Sequence, residues 1–178
     1  SQTDYISLSF DPNTANKFVI TYTNGGGSSY GTGIIGTVSG TSVSYGSAYV
    51  FNSANTQPIS ASFDPSTAGK FVAAYRDFTS SLYYGTAVVG TVSGTSISFG
   101  SKSVFNTANT NYIQMAFDPS RAGMFVVVYT NAGNSNRGTA ILGQIAATAL
   151  VTNLTSTNFV GIPDKAYAAS ATATVVAK

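Results

Sequence analysis

Ile6-Ser-Leu-Ser-Phe-Asp-Pro12 recurs as Ile59-Ser-Ala-Ser-Phe-Asp-Pro65 and again as Ile113-Gln-Met-Ala-Phe-Asp-Pro119. The three segments follow one another at offsets of 53 and 54 residues. A fixed period of this length is typical of repeat architectures, in which one supersecondary unit is used several times. We therefore predict that the chain contains three copies of one structural unit.

The residues between these segments repeat as well. Each unit continues with Phe-Val-x-x-Tyr and then with Gly-Thr-x-x-x-Gly. The first two units close with Val-Phe-Asn-x-Ala-Asn-Thr, at 50–56 and 104–110, whereas the third departs from this pattern, as terminal repeats often do. The predicted units are residues 1–57, 58–111 and 112–160, followed by a C-terminal extension at 161–178.

Every unit contains four β-like runs, and no stretch shows sustained helical periodicity. In the first unit, residues 6–10 alternate between apolar side chains and serine, which is the period-two pattern of a half-buried strand. Residues 18–22 form a β-branched and aromatic second run that suits burial on both faces. The third run, 31–38, leads through a tight turn at Ser39-Gly40 into the fourth run, 41–51.

Four antiparallel strands in a unit of about 50 residues are typical of a β-propeller blade. The predicted fold is therefore all-β, with three repeated four-stranded antiparallel blades of a β-propeller. Because propellers use about four to eight blades, three do not close a ring, and further blades would come from a longer protein or a second copy. An open β-solenoid or stacked repeat array is the alternative, and the long regular period disfavours a twelve-stranded β-sandwich.

Asp11, Asp64 and Asp118 hold equivalent positions in the three units. Asp followed by Pro is turn chemistry, since the carboxylate caps the turn and proline fixes the next φ. Placement on three separate blades would also keep these carboxylates apart, which disfavours a paired-carboxylate or calcium site. We predict that the three aspartates are structural.

Gly36, Gly90 and Gly143 recur in the middle of the third run. Glycine inside a strand indicates a bulge or a close approach, and here we expect either a bulge or close contact between neighbouring blades. The chain has no Gly-x-Gly-x-x-Gly or Walker pattern, so these glycines do not predict a phosphate-binding loop.

The composition excludes several classes of function. Only 8% of the 178 residues are charged, against about 25% in an ordinary globular domain. The net charge of +2 and the scattered Lys and Arg disfavour nucleic acid as a partner. The chain has no histidine, cysteine or glutamate, so we expect no enzyme, no cofactor and no metal site. No apolar run approaches ~20 residues, so we expect no membrane insertion.

The motifs Phe63-Asp-Pro-x-x-Ala-Gly-Lys-Phe-Val72, Gly85-Thr-x-x-x-Gly-Thr-Val-Ser-Gly-Thr-Ser96 and Val104-Phe-Asn-x-Ala-Asn-Thr110 resemble the propeller-type repeats of tail-fibre and other virion proteins of marine and cyanobacterial tailed phages. The segments 154–167 and 170–175 resemble the region that follows such repeats. The resemblance implies a structural, surface-displayed or receptor-binding protein of a virion, with no catalytic residues to carry over.

The loop between the second and third runs differs most among the units, at 23–30, 76–84 and 130–137. A constant scaffold with changed loops is how recognition surfaces are usually built, although loop tips also vary without any function. The tyrosines there are candidates to stack on sugar rings, and the polar side chains to bind hydroxyls. The candidate ligand-binding residues are Asn24, Tyr30, Arg76, Asp77, Tyr83, Tyr84, Asn131, Asn134 and Arg137.

Two functions stay open at this point. The first is a non-enzymatic structural or adhesive module of a phage tail fibre or similar virion assembly, located on the virion or outside cells and contributing to host-receptor binding. The second is an oligomeric carbohydrate-binding lectin whose propeller is completed by self-association. The expected partners are copies of the same chain, other virion proteins or a cell-surface glycan. A repeated lectin site would use the same residues in each unit, so the differing loops favour the first function.

Overall fold

A computed structural model describes residues 2–26, 28–145 and 150–159, the last range by its backbone alone. In these ranges every paired strand is antiparallel, and the one element that is not a strand is the 3₁₀ turn Ala132–Asn134. The predicted all-β class is therefore confirmed. None of the described residues belongs to a helix long and apolar enough to cross a membrane.

The described residues form twelve strands. Their bounds are β1 Thr3–Phe10, β2 Lys17–Asn24, β3 Tyr30–Ser39, β4 Ser42–Phe63, β5 Lys70–Asp77, β6 Tyr84–Ser93, β7 Ser96–Phe99, β8 Ser103–Asn106, β9 Thr110–Phe117, β10 Met124–Asn131, β11 Arg137–Ile145 and β12 Leu150–Phe159. The predicted Ser39-Gly40 turn is present, since Ser39 pairs with Ser42 and Gly40 has a φ of +59°. Only a residue that tolerates a left-handed backbone fits that position.

The strands form one eight-stranded and one four-stranded sheet. The first strands pair in the order β1, β2, β3 and then the first part of β4, residues 42–55. The second part of β4, residues 56–63, pairs with β5. β5 then pairs with β6, which pairs with both β7 and β8. The other sheet has the order β12-β11-β10-β9.

β4 is longer than predicted. The sequence predicted a fourth strand that ends at residue 51 and a new strand in the next unit, whereas the structure joins them in one strand of 22 residues. The next unit also has no glycine in this segment, yet there the chain breaks between β8 and β9, so local composition does not set the continuity of β4. The strand passes from pairing with β3 to pairing with β5 at this point.

Two apolar cores lie between the successive groups of strands. β5 supplies both, because Phe71, Ala73 and Tyr75 enter the first core while Val72 and Ala74 enter the second. Alternate residues of a strand point to opposite faces, so this strand is buried on both. The first core also contains Val19, Ile35, Phe51, Ile59, Ala61, Phe63, Val88 and Ile97, and the second contains Ala87, Phe105, Ile113, Phe125, Val127, Tyr129 and Ile141.

The Asp-Pro turns have the structural role that the sequence predicted. One oxygen of Asp11 accepts the Asn13 N–H at 2.9 Å, and the other accepts the Gly69 N–H of the next unit at 3.1 Å. Asp64 caps its own turn in the same way, at 2.9 Å from the Ser66 nitrogen. The carboxylates therefore hold turns closed, and that of Asp11 also links two units.

The mid-strand glycines contact their own sheet and not a neighbouring one, so the predicted contact between blades is wrong. Each glycine pairs with a phenylalanine on the adjacent strand, whose ring covers it. A Cβ atom at each glycine would lie 2.2 Å from the Cζ of that ring. The pairs are Gly36 with Phe18, Gly90 with Phe71, and Gly143 with Phe125. The predicted bulge is present beside Gly36 and Gly143, where the pairing register shifts on the other side of the strand.

Candidate functional site

The three variable loops lie at the end of the sheets where β1, the second part of β4, and β9 begin. Pairing brings Thr3 opposite Asn24, Thr56 opposite Asp77 and Thr110 opposite Asn131. Backbone hydrogen bonds then join each loop to the strand that begins the next group of strands. Thr56 N, where β4 starts to pair with β5, donates to Ser29 O at 3.1 Å, and Thr110 N, at the start of β9, donates to Tyr83 O at 3.2 Å. We call this side of the molecule the loop end, formed by residues 2–5, 24–26, 28–30, 52–58, 76–84, 106–112 and 131–137.

Arg76 is the centre of the loop end. Its Nε donates to the Gln57 carbonyl oxygen at 2.8 Å, and its Nη1 donates to the side-chain oxygens of Asn109 and Asn111. The guanidinium also lies over the Phe78 ring, 4.6 Å from its centroid. Because its Nε and Nη1 donors are engaged by protein groups, Arg76 fixes the geometry of three chain segments.

Two tyrosines flank this guanidinium. The Tyr83 centroid lies 5.9 Å from Arg76 Cζ, and the Tyr83 ring stacks on Phe78 with 4.4 Å between centroids. Burial lowers the pKa of Arg76, and the electrostatic influence of Tyr5 and Tyr83 acts in the opposite direction. Tyr5, on β1, therefore lies within electrostatic range of the same group. We call Tyr5, Arg76, Phe78 and Tyr83 the Arg76 cluster.

Asp77 is buried and structural. Its carboxylate accepts Asn52 Nδ2 at 3.0 Å, Thr79 N at 2.9 Å and Lys102 Nζ at 3.4 Å. Burial opposes its ionisation, but the hydrogen bonds from Thr79 and Asn52 and the charge of Lys102 outweigh burial and lower the pKa of Asp77. Lys102 Nζ also donates to the Asn52 side-chain oxygen. This carboxylate therefore holds the start of the variable loop to the preceding unit.

The third unit repeats this network without a charge. Asn131 takes the place of Asp77, and its side-chain oxygen accepts Asn106 Nδ2 at 3.3 Å and Gly133 N at 3.0 Å. Asn106 also donates to Thr110 Oγ1 at 2.8 Å, as Asn52 does to Thr56. The Val-Phe-Asn-x-Ala-Asn-Thr repeat is visible in the sequence, but the sequence alone does not assign it a role. Its role is to join one unit to the next, and the Asn and Thr at fixed spacing were the signal.

The other candidates occupy separate parts of the loop end. Asn24 and Tyr30 line an open depression of about 310 Å³ in the first unit, and the Asn24 side chain accepts the Gly26 N–H at 3.3 Å. Tyr84 is half-buried and pairs with Asp77 across the β5–β6 ladder. Asn134 and Arg137 lie in the third loop, where Arg137 is exposed. The nine predicted residues thus lie in three separate loops. Within the second loop, the Arg76 guanidinium lies over the Tyr83 ring, so these two candidates are in contact.

Sequence reasoning missed the two most exposed tyrosines of the loop end. Tyr5 is 51% exposed and Tyr112 is 82% exposed, and they hold equivalent places at bulges in β1 and β9. Both have a φ of +51°, and Tyr83 has +52°. An aromatic residue in the left-handed region is strained, and such strain concentrates at functional sites. In the second unit the equivalent position is occupied by Pro58, so the sequence does not show a tyrosine repeated in all three units.

The loop end also contains a second open depression, of about 500 Å³, beside Tyr5. Its lining is polar and includes Asp4, Thr23, Ser29 and Gln57. Within the described ranges no group of three or more His, Cys, Asp or Glu side chains is placed to hold a metal ion. The arrangement offers aromatic faces, backbone groups and amides for contact with a partner.

No family model and no curated protein matches the chain in sequence. Among solved structures it is similar to Sqt1 of Saccharomyces cerevisiae, with 17% identity and a TM-score of 0.60 over 88% of this chain and 36% of Sqt1. It is also similar to Sqt1 of Chaetomium thermophilum, with 13% identity and a TM-score of 0.58 over 86% of this chain and 36% of that one. Sqt1 is a WD40-like β-propeller, so the likeness is one of fold. The chain spans about a third of the length of these proteins.

The expected function is wrong on this comparison. The matched structures are proteins of fungal cells, and neither is a phage tail fibre, a virion component or a secreted lectin. The expected virion or extracellular location is wrong for the same reason. Low-charge repeats rich in Gly, Ser and Thr reflect strands and turns, and this composition does not identify the particle or compartment that contains them.

Proposed function

We propose that the chain is a non-enzymatic protein-binding module, built as three four-stranded blades of a β-propeller. The first blade consists of β1, β2, β3 and the first part of β4. The second consists of the second part of β4, β5, β6 and, as its fourth strand, β7 and β8, which both pair with β6. The third consists of β9, β10, β11 and β12. Each group shares one order of pairing, and each joins the next through the same buried Asn–Thr network. The long β4 then serves as the outer strand of one blade and the inner strand of the next.

The observation that carries the binding role is the set of exposed tyrosines held with positive φ at the loop end. Tyr5, Tyr83 and Tyr112 take a backbone conformation that costs about 1–3 kcal/mol at each position. Bulges at equivalent places in β1 and β9 direct Tyr5 and Tyr112 outward. Folding alone gains nothing from leaving a strained tyrosine in water, whereas a binding surface gains a rigid aromatic contact.

The chemistry of this surface favours a polypeptide partner. Tyrosine and arginine are enriched among the residues that dominate protein–protein binding energies, and interface centres are depleted in other charges. The Arg76 cluster provides this combination, with Phe78 and Tyr83 fixed against a guanidinium that is itself anchored by three segments. A preorganised aromatic surface loses little conformational entropy on binding.

A peptide-display selection on the immobilised chain tests this proposal. Selected peptides should bind at least about tenfold more weakly to Tyr5→Asn, Tyr83→Asn and Tyr112→Asn variants, measured by fluorescence anisotropy. Asparagine suits these positions because it tolerates the left-handed region, so each variant keeps the backbone. The matched control is Val104→Asn, which removes an apolar side chain of similar exposure from β8, outside the loop end.

Equal binding by all four variants would overturn the proposal. Selection of no peptide, together with glycan-microarray binding that depends on Tyr5, Tyr83 or Tyr112, would overturn it in favour of a carbohydrate ligand. The variants must first show wild-type circular dichroism and melting temperature, so that a loss of binding is assigned to the side chain.

A further inference from the structure

One face of the first unit exposes side chains that the second unit buries. In β1, Ile6, Leu8 and Phe10 are 62%, 53% and 54% exposed. Their equivalents in β4 are Ile59, Ala61 and Phe63, which are 6%, 7% and 3% exposed. Val43 and Tyr45 follow the same rule, since both are exposed while their counterparts Ile97 and Phe99 lie in or against the first core. We call the surface formed by Ile6, Leu8, Phe10, Val43 and Tyr45 the leading face.

The structure shows what covers this surface in the second unit. Ile59, Ala61 and Phe63 pack in the first core with Val19 and Ile35 of the preceding unit. The leading face of each unit thus contacts the opposite face of the unit before it. The same contact is made between the second and third units, through the second core.

The opposite face of the third unit is open as well. Val126 corresponds to Val19 and Val72, both fully buried, yet it is 39% exposed. Val128, two residues along the same strand, and Leu142, opposite Val126 on β11, are its half-buried neighbours, at the positions of Ala74 and Val89. We call Val126, Val128 and Leu142 the trailing face. The chain therefore exposes both halves of a contact that it makes twice internally.

Hydrogen bonds give this contact a direction. Ser7 Oγ accepts the Ala61 N–H at 3.0 Å, and Ser9 Oγ accepts the Phe63 N–H at 3.1 Å. Ser60 Oγ accepts the Met115 N–H at 3.1 Å in the next contact. Each inner strand therefore offers side-chain acceptors toward the following unit and apolar side chains toward the preceding one. Two leading faces placed together would lack the acceptors.

We propose that a second copy of this chain docks its leading face on the trailing face of the first, by the head-to-tail contact that joins the units internally. Such a contact is heterologous, so it continues until a ring closes or an open array forms. This inference concerns surfaces away from the loop end and is independent of the proposed binding role. A second copy fits this site because both complementary surfaces are present on one chain. A further unit of the same polypeptide is the competing occupant, and a monomeric chain in the test below would favour it.

The contact between copies is weaker than the internal ones. Gln114 and Ala116 replace the serine acceptors in β9, and only Gln114 keeps an acceptor. Asp118 corresponds to Asp11, which reaches across to Gly69, but its Oδ2 is taken by Arg121 Nε at 2.6 Å. Association is therefore driven by apolar burial and depends on protein concentration.

Complementation between two variants tests the proposal. Leu8→Lys places a charge on the leading face, and Val126→Lys places one on the trailing face. Each should weaken association by about ten- to hundredfold, because an apolar contact becomes a buried charge. The mixture should form a 1:1 complex, since it contains one intact surface of each kind. Val104→Lys is the matched control, because Val104 is similarly exposed on β8 and belongs to neither face.

Light scattering coupled to size exclusion, over a range of concentrations, reads the result. Wild type and Val104→Lys should associate, each face variant should be monomeric, and the mixture should have the mass of two chains. A wild-type chain that stays monomeric at millimolar concentration overturns the proposal. So does a Val126→Lys variant that still dimerises, because that result identifies a contact between two leading faces.

Discussion

Gly90→Ala and Gly36→Ala make the same chemical change under the same kind of aromatic ring, yet they should differ in cost. A Cβ at Gly90 lies 2.2 Å from Phe71 Cζ, so the ring must move. Phe71 is fully buried, with the Phe63 and Phe99 ring centroids 5.4 and 6.0 Å away. The displaced ring therefore meets other side chains in every direction that relieves the clash.

At Gly36 the clash is the same 2.2 Å, with Phe18 Cζ, and Phe18 is itself buried, but the two rings that cover it are exposed. The neighbouring rings are Phe10 and Tyr45, with centroids at 5.3 and 6.4 Å, and both belong to the leading face. In the monomer these side chains move into solvent and let Phe18 follow. The two glycines thus provide a matched pair in which only the cover of the aromatic ring differs.

Overpacking a filled core costs about 1–3 kcal/mol. Replacing a strand glycine by alanine offsets about 0.5–1 kcal/mol of this cost, because alanine loses less backbone entropy on folding. We expect Gly90→Ala to lower the free energy of unfolding by about 2 kcal/mol, which is about 4–8 °C in Tm for a chain of this length. Gly36→Ala should stay within about 0.5–1 kcal/mol of wild type. Urea unfolding followed by circular dichroism, at a concentration where the chain is monomeric, measures both. Equal losses from the two variants would refute the account of the rings.

Three further predictions concern the links between units. Asp77→Asn should lower the free energy of unfolding at neutral pH and lower it progressively less below about pH 4. The reason is that the pKa of Asp77 is lower in the folded state, so the stability that its ionised form contributes is lost as the pH falls through the pKa of the folded state; urea titrations at several pH values check this. Arg76→Lys should destabilise the loop end by about 1–3 kcal/mol, since lysine lacks the planar fork that binds Gln57 and Asn111 together, and faster amide exchange in residues 107–112 would report it. Asp11→Ala should lower Tm more than Asp118→Ala, because Asp11 is buried and bonded to the next unit whereas Asp118 is partly exposed and bonds within its own turn.

The repeat and the turn chemistry were sufficient to predict the fold class and most strand positions. Alternation in residues 6–10, the Ser39-Gly40 turn and the Asp-Pro caps each follow from local preferences that the sequence displays directly. The continuity of β4 could not be predicted, because an extended link and a short loop have the same local composition. The partner of Gly90 is a ring on the adjacent strand, and the cross-strand register decides that contact.

The candidate site was harder to predict than the fold. Loop variability pointed to Arg76 and Asp77, but burial and hydrogen bonding make both of them structural. Tyr5 and Tyr112 gave no local signal, because a positive φ follows from a bulge that is set by pairing with the next strand. The expected virion role came from resemblance of composition and motifs, which carry information about strands and turns but not about partners.

We propose that the tyrosine-bearing loop end binds a polypeptide, and a crystal structure of the chain with the tightest peptide from the display selection tests this. We expect the peptide to cover the Arg76 cluster and to contact Tyr5, Tyr83 or Tyr112. A peptide bound elsewhere, with these three tyrosines left in solvent, would contradict it.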